Sequence, residues 1–276
     1  MEYKIVADSS ADLKSYPGAL FACTPLKIIT AENEYVDDST LDVDGMVSEL
    51  LSYKGKSSTA CPGMGDWLDA FGDADCIFCL TISGTLSGSY NSACLAKQDY
   101  EEKYPLRRVH VINSLSAGPE LTILVEKIAE LIKKGLDFEI ICDELAQYQE
   151  KTHLLFMLES LKNLANNGRV SRTVAKVIGL LGIRLVGMAS DEGTLQPLDK
   201  CRGEQSALHA IIKHLHNLGY KGGRLSIAHC QNEAAALRLK EQILKEFPQA
   251  RLDIHKTCGL CSLYAEKGGI LIGFES

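Results

Sequence analysis

The stretch Cys76-Ile77-Phe78-Cys79-Leu80-Thr81-Ile82-Ser83-Gly84-Thr85-Leu86-Ser87-Gly88-Ser89-Tyr90-Asn91-Ser92 runs from an apolar segment into a loop of hydroxyls and glycines, then into a helical pattern. An apolar run of this length, closed by glycines, reads as a buried strand. No Lys, Arg, Asp or Glu lies within it. The loop offers backbone N–H groups and neutral O–H donors at a helix start, which favours an anion. A polyphosphate site usually recruits Lys or Arg, so the expected anion carries a single charge. A carboxylate fits.

The same alternation extends in both directions. Strands are expected at 3–8, 21–29, 75–82, 107–112, 152–157, 183–189, 224–229, 250–255 and 269–274. Helices are expected at 43–53, 63–71, 87–98, 118–134, 138–149, 158–166, 172–181, 204–218 and 232–247. In the segment 118–134, Leu121, Leu124, Val125, Ile128, Leu131 and Ile132 share one face, and Gly135 ends the helix. Strand–helix alternation predicts an α/β fold with mostly parallel sheets. So many strands exceed one compact sheet, so two α/β domains are expected, 1–155 and 156–276, with the junction between 150 and 175. A ligand tunnel is expected between them.

The chain has 276 residues, 46% apolar and 24% charged, with a net charge of −7. Without a basic cluster, nucleic-acid binding is not expected, and membrane contact is expected to be transient at most. No basic segment with an apolar core opens the chain, and no apolar run reaches membrane-spanning length, so a cytoplasmic location is expected. The ten cysteines then read as reduced core thiols. Cys76 and Cys79 fall on opposite faces of one strand and cannot share a metal. Cys258 and Cys261 lie in an expected loop, where a redox or zinc half-site is the minor alternative. No metal or cofactor is expected.

Several motifs fail on inspection. Gly55-Lys56-Ser57 resembles the end of a phosphate-binding loop, but position 50 is Leu50 and a helix precedes it. Gly63-Met64-Gly65 lacks the third glycine of a dinucleotide site. Ser87 lacks the first glycine of a hydrolase elbow, although Ser87, His255 and Asp8 would form a triad from three strand ends. His255 ends an apolar strand near a glycine loop, as a ligand donor or as an exposed histidine. Arg169 follows a helix end, and Lys200-Cys201-Arg202-Gly203 precedes another helix.

Together these phrases resemble the DegV family of bacterial fatty-acid-binding proteins. The resemblance spans the chain: Ile5-Val6-Ala7-Asp8-Ser9-Ser10-Ala11-Asp12-Leu13, Pro25-Leu26-Lys27-Ile28, Tyr35-Val36-Asp37-Asp38, Lys56 to Gly63, Leu86 to Ala93, Val111 to Ala117, Leu161 to Ser171, Lys200 to Gly203 and His255. It implies two α/β domains with a long-chain fatty acid buried between them. It also implies that the carboxylate meets Ser57 or Ser58, Ser87 in its Ser87-Gly88 turn, Arg169 and His255. A separate fatty acid kinase would phosphorylate that carboxylate, with Arg202 at the kinase surface, and this chain would be a carrier with no catalytic group of its own.

The sequence departs from the family at Ala60, Cys61, Asn113, Gly118-Pro119-Glu120 and Lys256-Thr257-Cys258. Apolar helix faces are expected to wall the tunnel, with Leu158, Leu161, Leu164, Val174, Val177 and Ile178 as candidates. The alternatives are an esterase or acyl hydrolase using Ser87 and His255, and a carrier of another amphipathic carboxylate or isoprenoid.

Overall fold

The computed structural model describes residues 1–171, Thr173, Ile178 and 182–276. The first sheet has the order β2 (Phe21–Thr24), β1 (Tyr3–Asp8), β6 (Cys76–Thr81), β7 (Arg108–Asn113), with every pair parallel. All six residues of β6 are buried because helices cover both faces. Cys76, Phe78 and Leu80 meet α4 (Pro119–Lys133) and α5 (Phe138–Gln149) on one side. Ile77 and Cys79 meet α2 (Met64–Phe71) and α3 (Ser89–Lys103) on the other. The two cysteines therefore do face apart, as expected.

The second sheet has the order β10 (Leu195–Arg202), β9 (Ile183–Ala189), β8 (Thr152–Leu158), β13 (Ile270–Glu275), β11 (Arg224–His229), β12 (Arg251–Lys256). Only β11 and β12 run parallel, so the expectation of mostly parallel sheets fails here. A tight turn joins β9 to β10, and the last strand enters the middle of the sheet from the opposite end. Helices α7 (Glu204–Asn217) and α8 (Glu233–Glu246) cover one face through Leu155, Met157, Ile227 and Ile272. The alternate residues Leu154, Phe156, Leu158 and Leu271 face the first sheet's side of the molecule.

A small antiparallel sheet, β4 (Glu34–Val36), β3 (Lys27–Ile29), β5 (Ser58–Ala60), packs between α1 (Val43–Ser52) and the rest. The expected strand 21–29 is thus two strands in two sheets. Pro25 has no N–H for a ladder, and the chain turns there. Strands β4, β5 and β10 escaped the sequence reading. The first two are three residues long, and β10 is a mostly exposed edge with Pro197 beside a bulge.

The expected boundary at 155/156 falls inside β8, because Thr152, His153 and Leu154 already pair with Glu275, Phe274 and Gly273. The chain changes sheets after α5, which still packs on the first core. The expected helix 158–166 shortens to α6 (Lys162–Asn166), since Leu158 completes β8. The expected helix 172–181, with the candidates Val174 and Val177, lies largely outside the described residues. Helix α9 (Gly259–Ala265) stands where a loop was expected. Six of its seven residues are buried, so it shows no polar face to read.

Candidate functional site

Strands β1 and β6 are neighbours whose next partners lie on opposite sides, so a crevice opens beyond their carboxyl ends. Asp8 sits there, fully buried. Its carboxylate accepts the Ile82 N–H at 3.0 Å, Ser89 Oγ–H at 2.6 Å, Ser10 N–H at 3.2 Å and the Ser10 hydroxyl. Burial pushes its pKa up, and these hydrogen bonds oppose the shift. Asp8 organises the loop and has no lone pairs aimed at a histidine.

The loop spends its own amides internally. The N–H groups of Ser83, Gly84, Thr85, Leu86, Ser87 and Ser89 donate to Ser116 O, Asn113 Oδ1, Ser83 Oγ, Ser83 O, Ser83 O and Ser87 Oγ. The expected backbone cradle for an anion is therefore largely taken. Hydroxyls instead clasp the second sheet: Ser83 Oγ donates to Gly193 O at 2.7 Å and Thr85 Oγ1 to Glu192 O at 2.8 Å. Gly88 starts α3, and a Cβ there would stand 3.2 Å from Cys61 Sγ.

Between loop and sheet lies a cavity with about 810 Å³ of empty space, its open mouth included. Ile82, Leu86, Ser87, Leu115, Ser116 and Ala117 form one wall. Leu154, Phe156, Leu158, Ala189, Leu195 and Leu271 form the opposite one. Leu260, Cys261, Tyr264 and Ala265 of α9 close a third side, with Leu26, Thr59, Leu164 and Arg169 between. Leu158 and Leu164 are wall residues as expected, while Leu161 and Ile178 are buried in the adjoining core.

Polar groups gather where Arg169 enters. Its Nε donates to Leu86 O at 3.1 Å and its Nη1 to Asn167 O at 2.7 Å. Its Cζ lies 5.8 Å from the centre of the Tyr264 ring, and Tyr264 Oη shares a 3.0 Å hydrogen bond with Thr59 Oγ1. Ser87 is beside them in the wall, and its Oγ accepts from Ser89, leaving its proton to donate. Among the described residues, no Asp or Glu lines the cavity and none forms an ion pair with Arg169. An uncompensated guanidinium at the edge of an apolar cavity calls for an anion.

The structure corrects three expected donors. Ser57 is buried away from the cavity, and Ser58 is exposed on β5. Successive residues of a strand face opposite ways, so Thr59 is the hydroxyl that looks in. His255 does not line the cavity. Its Nδ1 lies 3.2 Å from Asp253 Oδ2 and 3.4 Å from Ser226 Oγ. Burial alone would lower its pKa, but Asp253 and the nearby Asp12 charge raise it. Asp8, Ser87 and His255 share no hydrogen bond, so the triad is not assembled.

The surroundings of Cys258 and Cys261 disfavour the thiolates that a redox or zinc half-site needs. Cys258 caps α9, Cys261 is buried one turn later, and burial pushes both thiols up. Among the described residues, no three His, Cys, Asp or Glu side chains are placed to hold a metal.

Helix α9 is held by carboxylates from the first half of the chain. Asp12 accepts the Cys258 N–H at 2.6 Å, and Asp37 accepts those of Gly259 and Leu260 at 2.7 and 2.9 Å. Lys14 pairs with Asp37 at 2.6 Å. Two acids at a helix N-terminus satisfy its free amides and fix the wall that α9 supplies. The phrase Tyr35-Val36-Asp37-Asp38 was visible in the sequence, but its partner helix was not.

Glu120, in the departing segment Gly118-Pro119-Glu120, is also buried and accepts Thr152 Oγ1–H at 2.7 Å. Burial pushes its pKa up to about 7, with the Ser116 and Thr152 hydroxyls opposing. Between the ordinary value of 4.5 and 7, the unfolded chain has released this proton while the folded chain retains it. Folding stability therefore falls as pH rises through that window. Glu120→Gln removes the loss, so its melting temperature relative to wild type should rise by a few degrees from pH 5 to pH 8. An equal difference at both pH values contradicts this reading.

The sequence profile of the DegV family, described as uncharacterised proteins, matches residues 2–276. The chain belongs to the DegV family. A DegV domain-containing protein of Streptococcus pneumoniae is 47% identical over 279 residues, covering 100% of this chain and 99% of the relative. The fatty acid kinase (Fak) B3 protein of Streptococcus pneumoniae, solved loaded with linoleic acid, matches with a TM-score of 0.98 at 46% identity, covering 100% and 99%. A DegV protein of Eubacterium eligens, loaded with heptadecanoic acid, matches with a TM-score of 0.98 at 43% identity, covering 99% of each chain. The resemblance read from the sequence is correct over the whole DegV chain. No helix among its described residues is long and apolar enough to cross a membrane.

Proposed function

We propose that this DegV chain binds a long-chain fatty acid in the cavity, with its carboxylate at Arg169 and Ser87. The observation that carries this is the guanidinium, free of any acidic partner among the described residues, at one end of an apolar cavity. Relatives solved with linoleic and heptadecanoic acids support it. Burying about 14 methylenes of a sixteen-carbon chain contributes roughly 11 kcal/mol gross. Association costs on the order of 4–15 kcal/mol, so the carboxylate must be paired for the complex to persist. Arg169, Ser87, Thr59 and Tyr264 supply that pairing.

The test is mass spectrometry of an organic extract from freshly purified protein. A C14–C18 fatty acid at one per chain is expected. No lipid, even after adding oleate, removes the reading.

The same proposal makes the chain a carrier for a separate fatty acid kinase, since no nucleotide motif stands in the sequence. The pairing of Arg202 with Ile183 and of Lys200 with Leu185, itself opposite Leu158, puts exposed Arg202 at the Leu158 end of the sheet. Arg202→Ala should retain lipid and slow acyl-phosphate formation with a cognate kinase roughly 3–10-fold, as loss of a docking charge does. Equal turnover by both proteins refutes that role.

A further inference from the structure

The end of the cavity away from Arg169 is closed by three side chains. Leu158 is the last residue of β8, α6 begins four residues later, and Arg169 follows α6. Helix α9, which carries Tyr264, leads into β13, whose first residue Ile270 pairs with Met157. Arg169 and Tyr264 therefore mark the Leu158 end. The other end lies at Leu154, near the start of β8, and at Ala189, which closes β9. Leu154 and Leu158 stand four residues apart on one strand, about 13 Å.

Leu154, Ala189 and Leu115 line the cavity and also a neighbouring cleft that contains Ser114, Glu120, Gln149 and Thr152. That cleft reaches the surface at exposed Glu150 and Asp191. The three side chains thus part an apolar cavity from a polar cleft open to water. Leu154 is buried, whereas Leu115 and Ala189 are only partly so. Ala189 contributes a single methyl group, so Leu115 supplies the bulk that faces the second sheet.

Leu115 stands in left-handed backbone at φ +54°, a region leucine rarely adopts. Its N–H donates to Asn113 Oδ1 at 3.2 Å, and a Cβ on Gly193 would lie 3.0 Å from Leu115 Cα. The surrounding chain therefore holds an unfavourable conformation that sets this side chain in the partition.

We propose that Leu115 is the stop for the methyl end of the ligand and sets the longest acyl chain the site takes. This rests on the fatty-acid reading above. A carboxylate held at Arg169 and Ser87 fixes one end of the ligand, so chain length decides where the methyl group falls. Methylenes short of the partition exchange water for Leu154, Phe156 and Leu271. Methylenes beyond it enter the cleft of Glu120, Gln149 and Thr152, where apolar surface stays in contact with water.

The test measures binding of straight saturated acids from dodecanoic to docosanoic by competition against a fluorescent fatty acid. In the wild-type protein each added methylene should tighten binding about fourfold up to an optimum, and longer acids should gain nothing or weaken. Leu115→Gly suits the left-handed backbone and opens the partition, so the optimum should move to acids longer by about two carbons or more. Ala189→Leu adds bulk from the opposite strand and should move it about two carbons shorter. An optimum unmoved in either variant overturns the stop. Failure of the wild-type protein to bind any of the acids overturns the fatty-acid reading itself.

Discussion

Arg169→Leu is expected to weaken binding of a C18 fatty acid at least about 100-fold, on the order of 3 kcal/mol for a charge-assisted hydrogen bond removed from an apolar site. The apolar chain would still be attracted, but its carboxylate would enter with only neutral donors, Ser87, Thr59 and Tyr264. Arg169 also fixes the loop through Leu86 O at 3.1 Å, so two effects are removed together. Arg169→Lys separates them, because it keeps the charge and loses the planar fork. An intermediate loss of roughly tenfold is expected for it. Competition against a fluorescent fatty acid measures both, and a loss below threefold for leucine would place the carboxylate elsewhere.

Gly273→Ala is expected to cost roughly 4 kcal/mol or more, in the range reserved for severe core clashes. A Cβ on Gly273 would collide with the backbone of Pro119 and Glu120 at the start of α4. Backbone cannot rotate away as a side chain can, so α4 itself must move. That helix packs on β1 and β13 together, and it joins the two sheets. Gly118 is constrained differently, by its left-handed backbone at φ +63°, while a Cβ there would meet the movable end of the Leu271 side chain in the cavity wall at 2.9 Å. For a chain of this size the melting temperature should fall by roughly 8–16 °C. A drop below about 3 °C would mean that the α4 contact yields at little cost.

The long periodic elements were legible. β6 and α4 carry their burial in their own side chains, so one window of residues suffices to recognise each. Ser87 and Arg169, which line the cavity, were legible as candidates because a hydroxyl loop and a helix end each have a local signature. Thr59 was not. Ser57, Ser58 and Thr59 are consecutive hydroxyls, and a shift of one residue in register turns the other side of a strand inward. His255 was misplaced for a related reason. Asp253 and His255 stand two apart on one face of β12, and the histidine turns to that carboxylate instead of to the cavity.

Local sequence was enough for the α/β class, the strands and helices of the parallel sheet, and the neutral hydroxyl loop, because each depends on residues a few positions apart. The direction of the strands in the second sheet, the capping of α9 by Asp12 and Asp37, and the meeting of Arg169 with Tyr264 and Thr59 depend on partners up to 246 positions away. Such partners leave no periodicity in either segment. They come together only when both hydrophobic faces are buried at once, and the cavity is what that packing leaves between them.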